Sequence, residues 1–311
     1  MKIASIDIGT NTCNLLIAEQ NDRGNISFIH RDKLPISLIN KDDYFNNTIS
    51  ENAINKLVNV LKSYRLAIQK LDVTIVIATA TSGIRSSQNK EEILNIIKSK
   101  TGFDIEIIDG NREAGLVFAG VKNATELNEK YNLIIDIGGG SIEFIIANST
   151  EVRFIHSFQI GVARLLNRYK FSDPLSTNDI SIINQILDEN LSDMINFCQS
   201  LNIDTLIGSS GSYETFANLV KYGFNINNLN EDSPFNVIDI DYFEQIHKKL
   251  ISYDFEQRKN MPGMEIIRVQ LIPIASVITT YLLDKLKIKT LIQSNYSIKE
   301  GLIFDYLSKN Y

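Results

Sequence analysis

Two carboxylates, Asp136 and Glu143, bracket the stretch Gly138-Gly139-Gly140-Ser141. Three consecutive glycines leave that stretch without side chains, so its backbone N–H groups can close around an anion. Carboxylates entering and leaving such a turn supply hard oxygen ligands, the kind that a phosphate-bound Mg²⁺ takes. A plain hairpin with strain-relieving glycines would look the same if the pattern occurred once, but it occurs twice. Ile6 to Ala18 aligns without a gap on Ile135 to Ala147, which puts Asp7 on Asp136, Gly9 on Gly138, Thr12 on Ser141 and Asn14 on Glu143. The first copy, with Gly9, Thr10 and Asn11 in its turn, offers hydroxyls and amides where the second offers glycines and a carboxylate. Two turns facing one ligand, with metal on one side only, account for that difference. Asp7 then either reaches the metal through water or holds its own turn.

Turns of this kind need strands on both sides, and the flanking isoleucine-rich runs suit buried strands. The duplication extends beyond them. Each half continues with a third strand (Ile26 to His30; Val152 to Phe158) and a long helix (Glu51 to Lys70, capped by Ser50; Thr177 to Gln199). Each then has a buried strand (Val73 to Ala78; Thr205 to Ile207) that ends in a small-residue turn, Thr79-Ala80-Thr81-Ser82-Gly83 or Gly208-Ser209-Ser210-Gly211-Ser212. The first half adds a polar loop over Asn40 to Asn47, a helix near Lys90 to Lys100, a strand at Ile105 to Ile108 and a helix from Asn111 to Lys122. The second adds an irregular insert from about Gly223 to Gly263 with a helix near Tyr242 to Ile251, then a helix from Ile274 to Leu286 and a strand from Thr290 to Ile292. The closing helix carries Glu300-Gly301-Leu302-Ile303-Phe304, an echo of Glu113-Ala114-Gly115-Leu116-Val117-Phe118. Two domains are expected: 1–124 with the closing helix at about 297–311, and 125–296, joined at the polar stretch Thr125 to Lys130.

A chain of 311 residues supports two cores, and 44% hydrophobic with 22% charged residues is ordinary for a globular protein. A net charge of −6 argues against a general nucleic-acid binder. No apolar run approaches a membrane span, and Asp7 interrupts any signal-peptide core, so a cytoplasmic protein is expected. Two cysteines, Cys13 and Cys198, and three histidines without a cluster point to core thiols and away from zinc.

Two β-β-β-α-β-α-β-α units with glycine turns between their first strands resemble the actin-like ATPase (ribonuclease H-like) fold. That resemblance implies a duplicated α/β architecture with an interdomain phosphate-binding cleft, and it restricts function without fixing it. Asp7-Ile8-Gly9-Thr10-Asn11, Ala78 to Arg85, Ile107 to Ala114 and Asp136 to Glu143 resemble the exopolyphosphatase and guanosine pentaphosphate phosphohydrolase (Ppx/GppA) family in its short two-domain form. Weaker matches follow at Ile160 to Leu165, Gly208 to Gly211 and Lys299 to Leu302, so the resemblance covers essentially the whole chain in order.

The resemblance implies Mg²⁺-assisted release of terminal phosphate from inorganic polyphosphate or guanosine pentaphosphate. It makes Glu113 the general base, Arg85 a phosphate ligand, and Asp136 with Glu143 the metal side, with Asp7 a further metal candidate that either reaches the ion through water or holds its turn. Gly9, Thr10, Asn11, Gly138, Gly139, Gly140, Ser141, Ser210, Gly211 and Ser212 become the phosphate-binding set. Position alone makes Glu113 a helix-start acid and Arg85 a surface charge; Glu300 reads as structural, Cys13 as packing, and Arg164 with Arg168 as either a polyanion groove or an exposed helix face. The chain departs from the family pattern at Cys13-Asn14, where an aromatic and a histidine are common, and at Arg268-Val269-Gln270, where Arg-Ala-Asp is common. It ends at Tyr311, where longer relatives add a helical region, so a short binding track and distributive release are expected. The expected partner is the substrate alone, with no nucleic acid and no membrane, and a homodimer is left open. The alternatives are a guanosine tetra- or pentaphosphate sensor without turnover and a kinase on the same fold.

Overall fold

The computed structural model describes residues 1–38, 47–230 and 232–310; most of the polar loop expected over Asn40 to Asn47 lies outside them. The chain forms two compact units, Met1–Gly120 with Ile298–Tyr311, and Val121–Ser297. Each is built on one mixed sheet.

In the first unit, β1 (Lys2–Ile8), β2 (Thr12–Gln20), β3 (Ile26–Pro35), β4 (Ile75–Ala80) and β5 (Glu106–Ile107) lie in the order β3-β2-β1-β4-β5. The first three strands are antiparallel, and β4 and β5 run parallel to β1. The central strands are covered on both faces, and β1 is buried from Ile3 to Ile8 with Ser5 and Asp7 included. Helix α1 (Glu51–Lys70) buries Ile54, Leu57, Val58, Leu61 and Tyr64. The Tyr64 hydroxyl donates to the Cys13 carbonyl at 2.6 Å, so this buried phenol is satisfied. Three further helices, α2 (Ser82–Arg85), α3 (Lys90–Thr101) and α4 (Gly110–Ala124), follow β4 and β5. The C-terminal helix (Ile298–Asn310) packs Ile303 and Leu307 against Ile3 and Leu16.

The second unit repeats this plan and extends it. Strands β6 (Asn132–Ile137), β7 (Ile142–Ala147), β8 (Val152–Phe158), β9 (Thr205–Ser209), β10 (Phe235–Ile238) and β11 (Thr290–Ser294) are ordered β10-β11-β9-β6-β7-β8. Strands β6 to β8 are antiparallel, β9 and β11 run parallel to β6, and β10 adds an antiparallel edge. The helices are α5 (Val162–Arg168), α6 (Thr177–Ser200), α7 (Ser210–Gly223), α8 (Ile240–Ser252), α9 (Phe255–Lys259) and α10 (Ile272–Leu286).

Three expectations change. The strand expected from Val73 starts at Ile75, because Asp72 takes a left-handed conformation (φ 52) and the Val73 N–H bonds back to Ile68 at the end of α1. The insert expected to be irregular contains β10 and α9 besides its helix; the four residues Phe-Asn-Val-Ile alternate exposed and buried, too short a run to stand out in the sequence. The turn expected over Gly208 to Ser212 is a direct passage from β9 into α7, made at Ser210 with φ 64. Among the described residues, no helix is long and apolar enough to cross a membrane.

Candidate active site

In both units the candidate residues emerge at the carboxyl ends of the parallel strands, where open α/β sheets place their ligands. In the second unit the Gly138 N–H closes the β6–β7 turn on the Ser141 carbonyl at 3.0 Å. The carbonyls of this turn point into the start of α5. Gly138 O accepts from Val162 N–H at 3.0 Å, Gly139 O from Ala163 and Arg164 N–H at 2.9 and 3.0 Å, and Gly140 O from Gly161 N–H at 3.4 Å. Arg164 Nε also donates to Gly140 O at 2.8 Å. In a trans peptide the C=O of one residue and the N–H of the next point in opposite directions. The N–H groups of Gly139, Gly140 and Ser141 therefore face away from α5, and none of them donates to a protein acceptor among the described residues. That is the geometry of an anion nest. The close approach of α5 requires Gly161, where a Cβ would lie 2.5 Å from Gly139 O, Gly140 C and Ser141 N.

Asp136 and Glu143 are direct cross-strand partners beside this turn, 4% and 1% exposed. Ser210 Oγ donates to Asp136 Oδ2 at 2.6 Å, and Ser157 Oγ to Glu143 Oε1 at 2.7 Å. The next residue, Gly211, carries the guanidinium of Arg268 against its backbone, and a Cβ there would meet Arg268 Nη2 at 1.8 Å. Arg268 is nearly buried, and its Nε has no hydrogen-bond partner. Ser212, placed in the phosphate-binding set from sequence, directs its hydroxyl to the Ile137 carbonyl at 3.4 Å, inside the unit.

The first unit carries Gly9, Thr10 and Asn11 on the β1–β2 turn, closed by Gly9 N–H on Thr12 O at 3.0 Å. Asp7 lies beside it and accepts from Asn14 Nδ2 at 3.1 Å, while its Oδ1 is buried without a partner. Burial raises the Asp7 pKa to about 6, against the lowering effect of the Asn14 amide and Lys299; nearby Glu300 adds to the rise. Glu113 occupies the first turn of α4, a helix begun by Asp109, whose Oδ1 accepts from Arg112 N–H at 2.8 Å. Arg85 Nη1 donates to Glu113 Oε2 at 2.7 Å and to Ile108 O at 2.8 Å, and its Nη2 is buried without a partner. The two residues that the family pattern pairs in function are thus in contact. Glu300 is fully buried, with Lys299 Nζ at 3.2 Å from Oε2.

Among the described residues, no three His, Cys, Asp or Glu side chains form a metal cluster. Within the second unit, the residues present fit a Mg²⁺ held by few carboxylates with phosphate and water oxygens completing its shell, since Asp136 and Glu143 are adjacent hard donors. Sequence reasoning did not place Arg268 in the site. The available signal was the family's Arg-Ala-Asp position, at which Arg268 keeps the arginine, but its partner Gly211 is distant in the chain.

The model of the Ppx/GppA phosphatase family matches residues 16–310. The chain is 36% identical over 224 residues to a bifunctional 3-dehydroquinate synthase/phosphatase of Fusobacterium nucleatum subsp. nucleatum, covering 68% of this chain and 33% of that protein. It is 22% identical over 309 residues to a guanosine-5′-triphosphate,3′-diphosphate pyrophosphatase of Aliivibrio fischeri, covering 98% of this chain and 59% of that one. The chain thus spans a third to three-fifths of the length of these curated relatives. A crystal structure of an exopolyphosphatase from Cytophaga hutchinsonii superposes with a TM-score of 0.95 at 31% identity, over 99% of this chain and 98% of that one.

Proposed function

The chain belongs to the Ppx/GppA phosphatase family, and from that premise we propose that it is a phosphohydrolase releasing the terminal phosphate of inorganic polyphosphate or of guanosine pentaphosphate. The observation that carries this reading is the second unit's turn, where three outward N–H groups stand beside two buried carboxylates. Such a nest binds phosphate oxygens and stabilises the charge that gathers on a transferring phosphoryl group. The names of the Aliivibrio and Cytophaga proteins point to the same two substrates.

In the proposed reaction Glu113 accepts a proton from water as the water oxygen bonds to the terminal phosphorus. The bond from that phosphorus to the bridging oxygen breaks, and its electron pair leaves with the shortened chain. Arg85 holds the Glu113 carboxylate in place and has Nη2 available for a phosphate oxygen. Arg268, seated over Gly211, is assigned a second phosphate contact. Asp136 and Glu143, with Asp7 through water, are the residues assigned to Mg²⁺, which when bound neutralises phosphate charge.

A phosphate-release panel tests this: polyphosphates of graded length, guanosine pentaphosphate and ATP, each with and without Mg²⁺. The expected result is Mg²⁺-dependent release from polyphosphate or guanosine pentaphosphate that is lost in Glu113→Gln. Saturable binding of guanosine pentaphosphate with no release would make the chain a sensor, and transfer from ATP that requires an acceptor would make it a kinase.

A further inference from the structure

The three outward N–H groups of the β6–β7 turn belong to three successive peptides, and what holds each peptide's carbonyl decides where its N–H points. The Gly138–Gly139 peptide is held by the Val162 N–H at 3.0 Å. The Gly139–Gly140 peptide is held by the N–H groups of Ala163 and Arg164 at 2.9 and 3.0 Å. These donors are main chain, so a change of side chain leaves them in place. The Gly140–Ser141 peptide is different. Its carbonyl has one main-chain donor, Gly161 N–H, at 3.4 Å, beyond the ordinary length of an N–H···O bond. Its short bond, 2.8 Å, comes from a side chain, Nε of Arg164. The third N–H of the nest, that of Ser141, is therefore aimed chiefly by a guanidinium.

That peptide is also one that needs holding, because glycine at 140 leaves its plane freer to rotate than any other residue would. The guanidinium is itself anchored. It is half-buried, and its Nη2 donates to Gln159 Oε1 at 3.2 Å. Helical spacing put Arg164 and Arg168 on one face, but their side chains part. Arg168 is exposed, with its guanidinium over the Tyr169 ring at 5.5 Å from the centroid, whereas Arg164 turns back onto the glycine turn. Its Nε lies on the carbonyl side of the Gly140–Ser141 peptide, opposite to the direction of the Ser141 N–H.

We propose that Arg164 is a positioning residue: by holding the Gly140 carbonyl it keeps the Ser141 N–H directed at phosphate oxygens, an assignment that rests on the reading of this turn as a phosphate nest. Two substitutions separate this from a role for its charge. Arg164→Gln places an amide nitrogen the same number of bonds from Cα as Nε, so it can donate to Gly140 O without the charge. Arg164→Met has the same length and no donor, and both residues suit a helix. Titration calorimetry on the whole chain, with Mg²⁺ present, measures binding of methylenediphosphonate, a phosphate-chain analogue that is not hydrolysed; kcat/KM for phosphate release is measured beside it. Arg164→Met should weaken analogue binding by about tenfold or more, the scale of one hydrogen bond to a charged group. Arg164→Gln should bind within about threefold of the native chain, the scale of one exposed charge. Values of kcat/KM should follow the same order. Thermal melting verifies that each variant is folded, and Arg164→Gln decides alone if Arg164→Met is not, near-native affinity supporting the assignment and a loss of about tenfold overturning it. Equal losses in the two variants would make Arg164 a charged contact, and native affinity in Arg164→Met would show the peptide oriented without it. Either result overturns the assignment while binding and release by the native chain still support the functional reading. A native chain that neither binds the analogue nor releases phosphate overturns that reading, and this assignment with it.

Discussion

The two hairpins share a backbone and differ in chemistry. Their registers correspond, Asp7 opposite Asn14 and Asp136 opposite Glu143, and each turn is closed by one N–H···O=C bond of 3.0 Å. In both, the residue beside the aspartate on the next parallel strand, Thr79 or Ser209, keeps a buried hydroxyl oxygen without a partner. The difference begins with what takes the turn's carbonyls. In the first unit Thr10 and Asn11 accept from the segment Ile36 to Leu38, which follows β3, whereas in the second the glycines accept from the start of α5. It continues at the aspartates, where Asp7 meets an amide and Asp136 a hydroxyl. Backbone hydrogen bonds therefore preserve the shape of the turn, while a few side chains give the two turns different chemistry, a carboxylate pair beside one and a carboxylate–amide pair beside the other.

If the base belongs to the first unit, Glu113→Gln should have the largest effect. It keeps the shape and the Arg85 contact but cannot accept a proton, so kcat should fall by roughly 10²-fold or more with KM little changed. Near-native turnover in single-turnover assays would remove Glu113 from the chemistry and erase the proposed division between the units.

The second unit's turn is tested at its support. Gly161→Ala places a methyl group 2.5 Å from three backbone atoms of the turn, and overpacking of this kind costs about 1–3 kcal/mol. Urea denaturation should show that loss, and KM should rise as the outward amides are displaced. A stability loss with unchanged KM would mean that the amides do not hold the substrate.

The first unit's aspartate gives a pH signature. Below about pH 4, near the ordinary value of 3.8, Asp7 is neutral in both the folded and unfolded chain, and its burial costs nothing in charge. As pH rises through its folded value of about 6, a buried carboxyl must ionise, so stability is lost. Each tenfold change in an acid's ionisation equilibrium corresponds to about 1.4 kcal/mol, which sets a ceiling of roughly 3 kcal/mol, reduced by any local relaxation. Asp7→Asn should therefore be more stable than the native chain at pH 7.5, with the gap closing toward pH 4.5. Mg²⁺ should narrow the gap at pH 7.5 if it reaches Asp7, and a pH-independent gap would show that Asp7 is not a strained acid.

The hairpins were legible in the sequence for a physical reason. Strands buried on both faces are mostly apolar, and glycines mark where Ile6 to Ala18 and Ile135 to Ala147 reverse direction. The roles proposed for Glu113 and Arg85 came from the family resemblance, since position alone makes them a helix-start acid and a surface charge; their contact was not legible in the sequence. The rest depended on tertiary placement. Nothing local to Gly161 shows that the start of α5 takes three glycine carbonyls, and nothing local to Arg268 shows that Gly211 makes room for it. Strand β10 has only four residues, and pairing with β11 rather than its own pattern makes it a strand.

The smallest expected effect lies where the second unit departs most from the first in backbone. Ala80, which follows Thr79 as Ser210 follows Ser209, ends β4 with ordinary strand geometry, whereas Ser210 sits at φ 64. A left-handed conformation costs a non-glycine residue about 1 kcal/mol or more. Ser210 accepts that strain while donating to Asp136 Oδ2, and a hydrogen bond to a charged group contributes about 1.5–3 kcal/mol. The two terms are comparable, and two variants separate them. Ser210→Ala loses the hydrogen bond and keeps the strain, so it should destabilise the chain by about 1–2 kcal/mol. Ser210→Gly loses the same bond but relieves the strain, so it should lie within about 1 kcal/mol of the native chain despite the greater flexibility of glycine when unfolded. Denaturant midpoints for the pair read the difference directly. If alanine is as stable as glycine, the left-handed turn at Ser210 is unstrained, and the bond to Asp136 alone accounts for a serine at this position.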